Sequence, residues 1–142
     1  MSKKVRILVL EDDSEMRELL ADVLTGRGYE VVAAGGGEEA LTMARRERFD
    51  LIVADIRMEG MTGLDAIERA QEHQPNMGSL VISGYASEEE TLRAVRLKVG
   101  GYLKKPFKMQ QLLAHINDIV AKRAEEAKRL EDARTLREAF RW

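Results

Sequence analysis

Short apolar runs alternate with longer amphipathic stretches five times along this chain. Val5–Leu10 is a leucine and β-branched run interrupted only by Arg6, and it stops at three acids, Glu11, Asp12 and Asp13. A run this short and this apolar predicts a buried strand. Ser14–Thr25 follows with Met16, Leu19, Leu20, Val23 and Leu24 at helical spacing, and the Gly26-Arg27-Gly28 triplet predicts its end, with glycine in a left-handed cap. Glu30–Ala34 reads as a second strand. After the turn Gly35–Gly37, a helix is predicted over Glu38–Glu47, with Ala40, Leu41 and Ala44 on one face.

Leu51–Ala54 is a third apolar strand ending at Asp55, and Ile56–Met61 is a loop. Thr62 caps the next helix, with Asp65 completing an imperfect capping box, and Pro75 marks the end of that region. Leu80–Ile82 is a fourth strand leading into Ser83-Gly84. Ser87 and Glu90 form an S-x-x-E box that opens a helix to about Val99, ended by Gly100-Gly101. Tyr102-Leu103 is a short fifth strand before Lys104-Lys105-Pro106-Phe107. A last helix begins near Met109 and continues toward the end of the chain.

Five alternations of strand and helix predict a doubly wound α/β domain, a parallel sheet with helices on both faces and right-handed crossovers. Ligands of such sheets bind outside the carboxyl ends of the strands. Those ends carry Glu11, Asp12 and Asp13, then Asp55, then Ser83, then Lys105. No glycine-rich dinucleotide fingerprint follows the first strand, which argues against a nicotinamide fold.

Composition narrows the chemistry. The 142 residues suit one domain of ordinary size, 44% are hydrophobic and 34% charged, and the net charge is −2. Nothing global points to nucleic acid or an anionic membrane. There is no cysteine, which removes disulfides, thiolate metal sites and thiol nucleophiles and fits a reducing cytosol. The basic start Met1-Ser2-Lys3-Lys4 is followed by too short an apolar run for a signal peptide or a membrane span, so a cytoplasmic location is expected.

Clustered carboxylates repel one another unless a cation sits among them. An all-oxygen set with open positions suits Mg²⁺ better than a closed Ca²⁺ cage, and no histidine stands near enough for a Zn²⁺ site. A carboxylate beside a hard cation and the Lys105 ammonium suits acceptance of a phosphoryl group, and the Ser83 hydroxyl can donate to it. Taken singly, each acid reads equally well as a solvated loop residue or a helix cap, Lys105 as a surface lysine and Ser83 as a turn residue.

The segments ILVLEDD at 7–13, VADIRMEGMTG at 53–63, VISGYAS at 81–87 and GYLKKPF at 101–107 together resemble the receiver domains of two-component response regulators, over about Val5 to Val120. The resemblance implies a five-stranded flavodoxin-like sheet of order 2-1-3-4-5, with a receiver domain over 1–120 and a helical extension over 121–142. It implies that Asp55 accepts a phosphoryl group from the phosphohistidine of a sensor histidine kinase. Asp12 would bind Mg²⁺ directly and Glu11 through water, with Asp55 and the backbone carbonyl of Arg57 completing the protein's share. The Arg57 side chain would be free to vary. Ser83 matches the switch hydroxyl, Lys105 the conserved-type lysine followed by a cis bond to Pro106, and Tyr102 the aromatic that turns inward. Asp13 falls to the role of a helix cap. The output face would be Ser87–Val99 with Gly101–Phe107, and the chain a regulatory phosphoacceptor rather than an enzyme in its own right.

Four features depart from the family's habit: Glu59 in a loop that often carries Pro, the bulky Tyr85, the pair Gly100-Gly101, and the run Gly35–Gly37. None removes a required group. The tail from Ala121 to Trp142 is rich in strong helix formers, with apolar positions at Ala127, Leu130, Ala133, Leu136 and Phe140. It predicts one continuous helix that either pairs with a second copy or serves as a linker. No helix-turn-helix, phosphate-binding loop or basic groove occurs within these residues, so no contact with nucleic acid is expected of this segment. Readings of another class are a pseudo-receiver that only scaffolds, an aspartate-nucleophile phosphatase, and an FMN protein. The phosphatase lacks the right first residue on its first strand, and FMN would face three repelling acids.

Overall fold

The computed structural model describes residues 4–141. The basic start at residues 1–3 and the apolar end of the tail at Trp142 lie outside the described residues. The elements, in chain order, are β1 (Arg6–Leu10), α1 (Ser14–Gly26), β2 (Glu30–Ala34), α2 (Gly37–Arg46), β3 (Leu51–Asp55), α3 (Gly63–His73), β4 (Gly78–Ser83), α4 (Glu88–Arg96), β5 (Gly101–Lys104) and α5 (Met109–Ala139). The five strands form one parallel sheet in the order β2-β1-β3-β4-β5. Chain order reverses between β1 and β3, and a topological switch point of this kind opens a crevice at the carboxyl ends of both strands.

Alternation along each strand divides the core into two layers. Leu8, Leu10, Ile52, Ala54 and Val81 face one side, where they meet Leu41 of α2, Leu64 and Ile67 of α3 and Ala94 of α4. Ile7, Val9, Val53, Leu80 and Ile82 face the other side, against Leu20 and Leu24 of α1 and Leu112, Ile116 and Ile119 of α5. β3 is buried along its whole length, whereas the edge strand β2 is only partly buried. The sheet therefore carries its least exposed backbone directly to Asp55.

Helix boundaries follow the capping chemistry. Asp13 accepts from the amides of Glu15 and Met16 and so caps α1. Gly28, at φ +91°, takes the left-handed turn after it. The box at Thr62 is complete: Asp65 Oδ2 accepts from the Thr62 amide at 3.2 Å, because an aspartate reaches back as well as a glutamate here. α4 is shorter than the sequence predicts. It ends at Arg96 rather than near Val99, because Lys98 takes a left-handed φ of +57° and the Val99 amide turns back to the Ala94 carbonyl at 3.2 Å. A lysine in that conformation gives no sequence signal, while the glycines that do signal a stop stand two residues later. Elsewhere β4 begins two residues early, at Gly78, and β5 takes in Gly101.

α5 runs for 31 residues. It packs on the sheet as far as Ile119, and Arg123 marks the last tie, donating to the Asp50 carbonyl and standing 3.7 Å from Asp50 Oδ1. Every described residue beyond Arg123 is exposed. Among the described residues no helix is long and apolar enough to cross a membrane.

Candidate functional site

The carboxyl ends of β1, β3, β4 and β5 bring together the residues that the sequence singles out. Glu11 follows β1 and is buried at 3% exposure, and Asp55 ends β3 at 5%. Lys105 follows β5 and reaches across to them. Its Nζ lies 2.5 Å from Asp55 Oδ2 and 3.6 Å from Glu11 Oε1. The two strand ends that carry the acids are hydrogen-bonded neighbours in the sheet, so their separation is set by strand spacing and not by a flexible loop.

One ammonium serves two buried carboxylates. Burial, followed by the nearby Asp55 carboxylate, pushes the Glu11 carboxyl up to about 7 despite the opposing charge of Lys105. Burial also works against the Lys105 charge, but Asp55 and Glu11 outweigh it and raise that group above the ordinary lysine value. The pocket is therefore short of positive charge, and a hard cation is what this donor set lacks. No three His, Cys, Asp or Glu side chains among the described residues stand close enough to hold a metal alone. That is compatible with Mg²⁺, which takes one or two carboxylates and keeps several waters. Asp12 lies exposed on the rim, next to the buried pair.

Asp55 is held at both oxygens. Its Oδ1 accepts from the Arg57 amide at 3.0 Å, while Oδ2 meets Lys105. Gly63, the first residue of α3, lies against the Asp55 backbone so closely that a Cβ there would stand 2.2 Å from the Asp55 carbonyl oxygen. Thr62 caps α3 at this point, so the phosphoacceptor candidate and the start of α3 are set together.

Ser83 is fully buried, but its hydroxyl is turned to its own loop. It donates to the Tyr85 carbonyl at 2.7 Å and accepts from the Tyr85 amide at 3.1 Å. The Lys105 amide donates to the Ser83 carbonyl at 2.8 Å, which ties the ends of β4 and β5. Tyr102 is half-buried and packs against the layer that holds Ala86, Leu97 and Val99. Tyr85 is 72% exposed, and Glu59 is exposed too, next to Gly60. The Lys105–Pro106 bond is cis.

Arg57 has a partner that the expectation for its backbone carbonyl did not include. Its side chain is not idle: it donates to Glu90 Oε1 at 3.0 Å, joining the loop after β3 to the cap of α4. The Ser87–Glu90 box was legible in the chain, but its partner 33 residues away was not, because two distant charges of opposite sign carry no pairing signal in a sequence. A cleft of about 510 Å³ opens at the opposite ends of the strands, between α5 and the starts of β4 and β5, and contains none of these groups.

The comparisons with known proteins agree with this geometry. Residues 7–117 match the family model "Response regulator receiver domain". The chain belongs to that family. It is 34% identical over 119 residues to the response regulator protein FleR of Pseudomonas aeruginosa, a match covering 84% of this chain and 24% of that protein. The chain thus spans about a quarter of the length of this curated relative. Among solved structures, a CheY-like receiver domain protein from Methanospirillum hungatei superimposes with a TM-score of 0.84 at 29% identity, over 87% of this chain and 99% of that one. The response regulator TrrA from Thermotoga maritima, solved in complex with Mg²⁺-BeF, gives 0.73 at 29% identity, over 81% and 98%. This chain is accordingly a receiver domain, the regulatory phosphoacceptor module of response regulators in two-component signalling.

Proposed function

We propose that Asp55 is the phosphoacceptor of this receiver, with Lys105 and Ser83 assisting, and that Asp12, Asp55 and the Arg57 carbonyl would hold Mg²⁺ directly and Glu11 through water. The observation that carries this reading is the Lys105–Asp55–Glu11 cluster, a buried acid pair at the switch point with one ammonium between them. In the transfer, an Asp55 carboxylate oxygen forms a new O–P bond as the N–P bond of the kinase's phosphohistidine breaks. The electron pair of the broken bond stays on the imidazole nitrogen, which takes up a proton. Hydrolysis reverses the modification, water attacking phosphorus to release inorganic phosphate and restore the carboxylate. Bound Mg²⁺ supplies the charge that neutralises the oxygens of the group in transit. Lys105 leaves Asp55 Oδ2 to follow those oxygens.

Ser83 is the proposed switch hydroxyl. To donate to a phosphoryl oxygen it must give up its bond to the Tyr85 carbonyl, so the Tyr85 loop moves with it and Tyr102 repacks beneath. The face of α4 and β5 is then what a partner or an output domain reads. This is a shift between two populated states rather than a one-way change. We further read residues 1–120 as the receiver unit of a cytoplasmic protein, and 121–142 as an extension that pairs with a second copy.

Incubation with Mg²⁺ and acetyl phosphate, followed by intact mass, tests the site. One phosphoryl adduct is expected on the wild type and none on Asp55→Asn. An unmodified wild type, or an equal adduct on the variant, rejects the assignment in favour of a scaffold that is never phosphorylated.

A further inference from the structure

Helices α3 and α4 open with the same device, a capping box whose acid also pairs with an arginine, from α4 in the first case and from the loop after β3 in the second. In α3, Asp65 Oδ2 accepts from the Thr62 amide, and its Oδ1 pairs with Arg93 of α4 at 2.7 Å. Arg93 also reaches Glu68 at 2.7 Å. In α4, Glu90 Oε1 accepts from the Ser87 amide at 3.0 Å, and the same oxygen accepts from Arg57 at 3.0 Å. The first clamp joins α4 to α3, and the second joins α4 to the loop after β3. The second clamp is bonded to the Asp55 carboxylate itself: the amide of Arg57 donates to Asp55 Oδ1, so its side chain is rooted one hydrogen bond from the phosphoacceptor candidate. α4 has little other hold on the body, with Ala94 its single buried residue.

We infer that Arg57 is a latch whose guanidinium exchanges Glu90 for the phosphoryl group on Asp55, so that phosphorylation releases the cap of α4. The inference rests on the reading of Asp55 as phosphoacceptor. A phosphoryl group brings a larger negative charge than a carboxylate and three acceptor oxygens, and a planar guanidinium meets such oxygens in pairs. The Glu90 pair it leaves is weak. Arg57 is 59% exposed, and exposed ion pairs contribute little. The guanidinium is free to change rotamer for the same reason. Glu90 keeps its bond to Ser87, so the first turn of α4 loses its tie to the site loop without unwinding. The Arg93 clamp lies a turn further on and reaches the loop after β3 only at its far end, through the Asp65–Thr62 cap. α4 therefore pivots about Arg93 rather than detaching. Arg57 is a positioning residue for α4, and its side chain, not only its backbone, connects the site to the output face.

Titration with Mg²⁺ and beryllofluoride, a phosphoryl mimic, separates this role from simple helix support. Binding is read from the Asp55 amide resonance and the state of α4 from the amides of Ser87 to Thr91. Arg57→Gln is expected to weaken beryllofluoride binding about two- to tenfold, the span of one charge-assisted contact. Glu90→Gln keeps an oxygen for the Ser87 amide and is expected to tighten binding by a similar factor, because Arg57 is then released in advance. The double variant is expected to match Arg57→Gln alone, since Glu90 acts only through Arg57. In the wild type the Ser87–Thr91 amides shift on binding. In Arg57→Gln they start displaced and stay there. A structural contact alone gives single variants that change affinity in the same direction, or effects that add, and either result overturns the latch. A wild type whose Asp55 amide ignores the ligand overturns the phosphoacceptor reading, and the latch with it.

Discussion

Gly63 leaves no room for a methyl group. A Cβ would fall 2.2 Å from the Asp55 carbonyl oxygen and 3.2 Å from the Ile56 Cα, and both neighbours are backbone that a rotamer change cannot move. Gly63→Ala is expected to cost about 1–3 kcal/mol by overpacking, read as a lower urea midpoint. It should also slow modification by acetyl phosphate, because the strain falls on Asp55 itself. Lys105 gives a second residue-scale test. With the ammonium removed, Glu11 and Asp55 face each other uncompensated, so Lys105→Met should lower the melting temperature in EDTA, and Mg²⁺ should restore more stability to the variant than to the wild type. Equal gains from Mg²⁺ in the two proteins would count against a shared cation site.

α4 is the element most dependent on polar ties. Its exposed face carries Leu92 and Val95, and one alanine anchors its inner face. The Ser87 amide, then its hydroxyl and the Arg57 charge, hold the Glu90 carboxyl below its ordinary value of 4.5 against the effect of burial. Burial works against the Asp65 charge as well, but Arg93 and the Thr62 amide and hydroxyl bring that group below 3.8. A carboxyl whose pKa is depressed on folding contributes stability above its unfolded value and loses it as pH falls through its folded value. The Glu90 clamp facing Arg57 should therefore loosen as pH falls below about 4.5, and the Asp65 clamp facing Arg93 as it falls below about 3.8. Glu90→Gln should show a smaller fall in melting temperature between pH 6 and pH 3 than the wild type. A fall of the same size in both would mean that the carboxylate contributes nothing at this cap.

At the scale of the whole molecule, α5 belongs to two environments. Leu112, Ile116 and Ile119 are buried on the sheet, whereas Leu130, Leu136 and Phe140 are 60–69% exposed. The stretch from Ala124 to Ala139 projects about 24 Å with no packing partner among the described residues. A helix of that length is marginal in water on propensity alone, and its exposed ion pairs, such as Arg134–Glu131 at 2.7 Å, add little. Under the pairing proposal, a second copy laid along Leu130, Leu136 and Phe140 would supply the missing burial. Leu136→Glu is expected to leave the unfolding midpoint of the receiver within about 0.5 kcal/mol and to reduce the mass in light scattering to that of a monomer. A wild type that is already monomeric, with and without beryllofluoride, removes the pairing proposal.

The order of elements, the two-sided burial of β3 and the acids at the strand ends were legible in the chain. Period-two and period-3.6 patterns are local, and so is the S-x-x-E box at Ser87. Asp55, Glu11, Ser83 and Lys105 could be gathered at one rim from strand order alone, because a parallel sheet puts all its carboxyl ends on one side. Three things were decided only by tertiary structure. Lys98 ends α4 early in a left-handed turn, because Leu97 and Val99 find burial against the sheet-side layer. Ser83 turns its hydroxyl to Tyr85, a choice between partners that no spacing reveals. Arg57 finds Glu90 across 33 residues, because the fold sets the loop after β3 beside the first turn of α4. Local pattern specifies which groups reach the rim. Which of them touch depends on separations of an ångström or two, and those arise only when the layers pack.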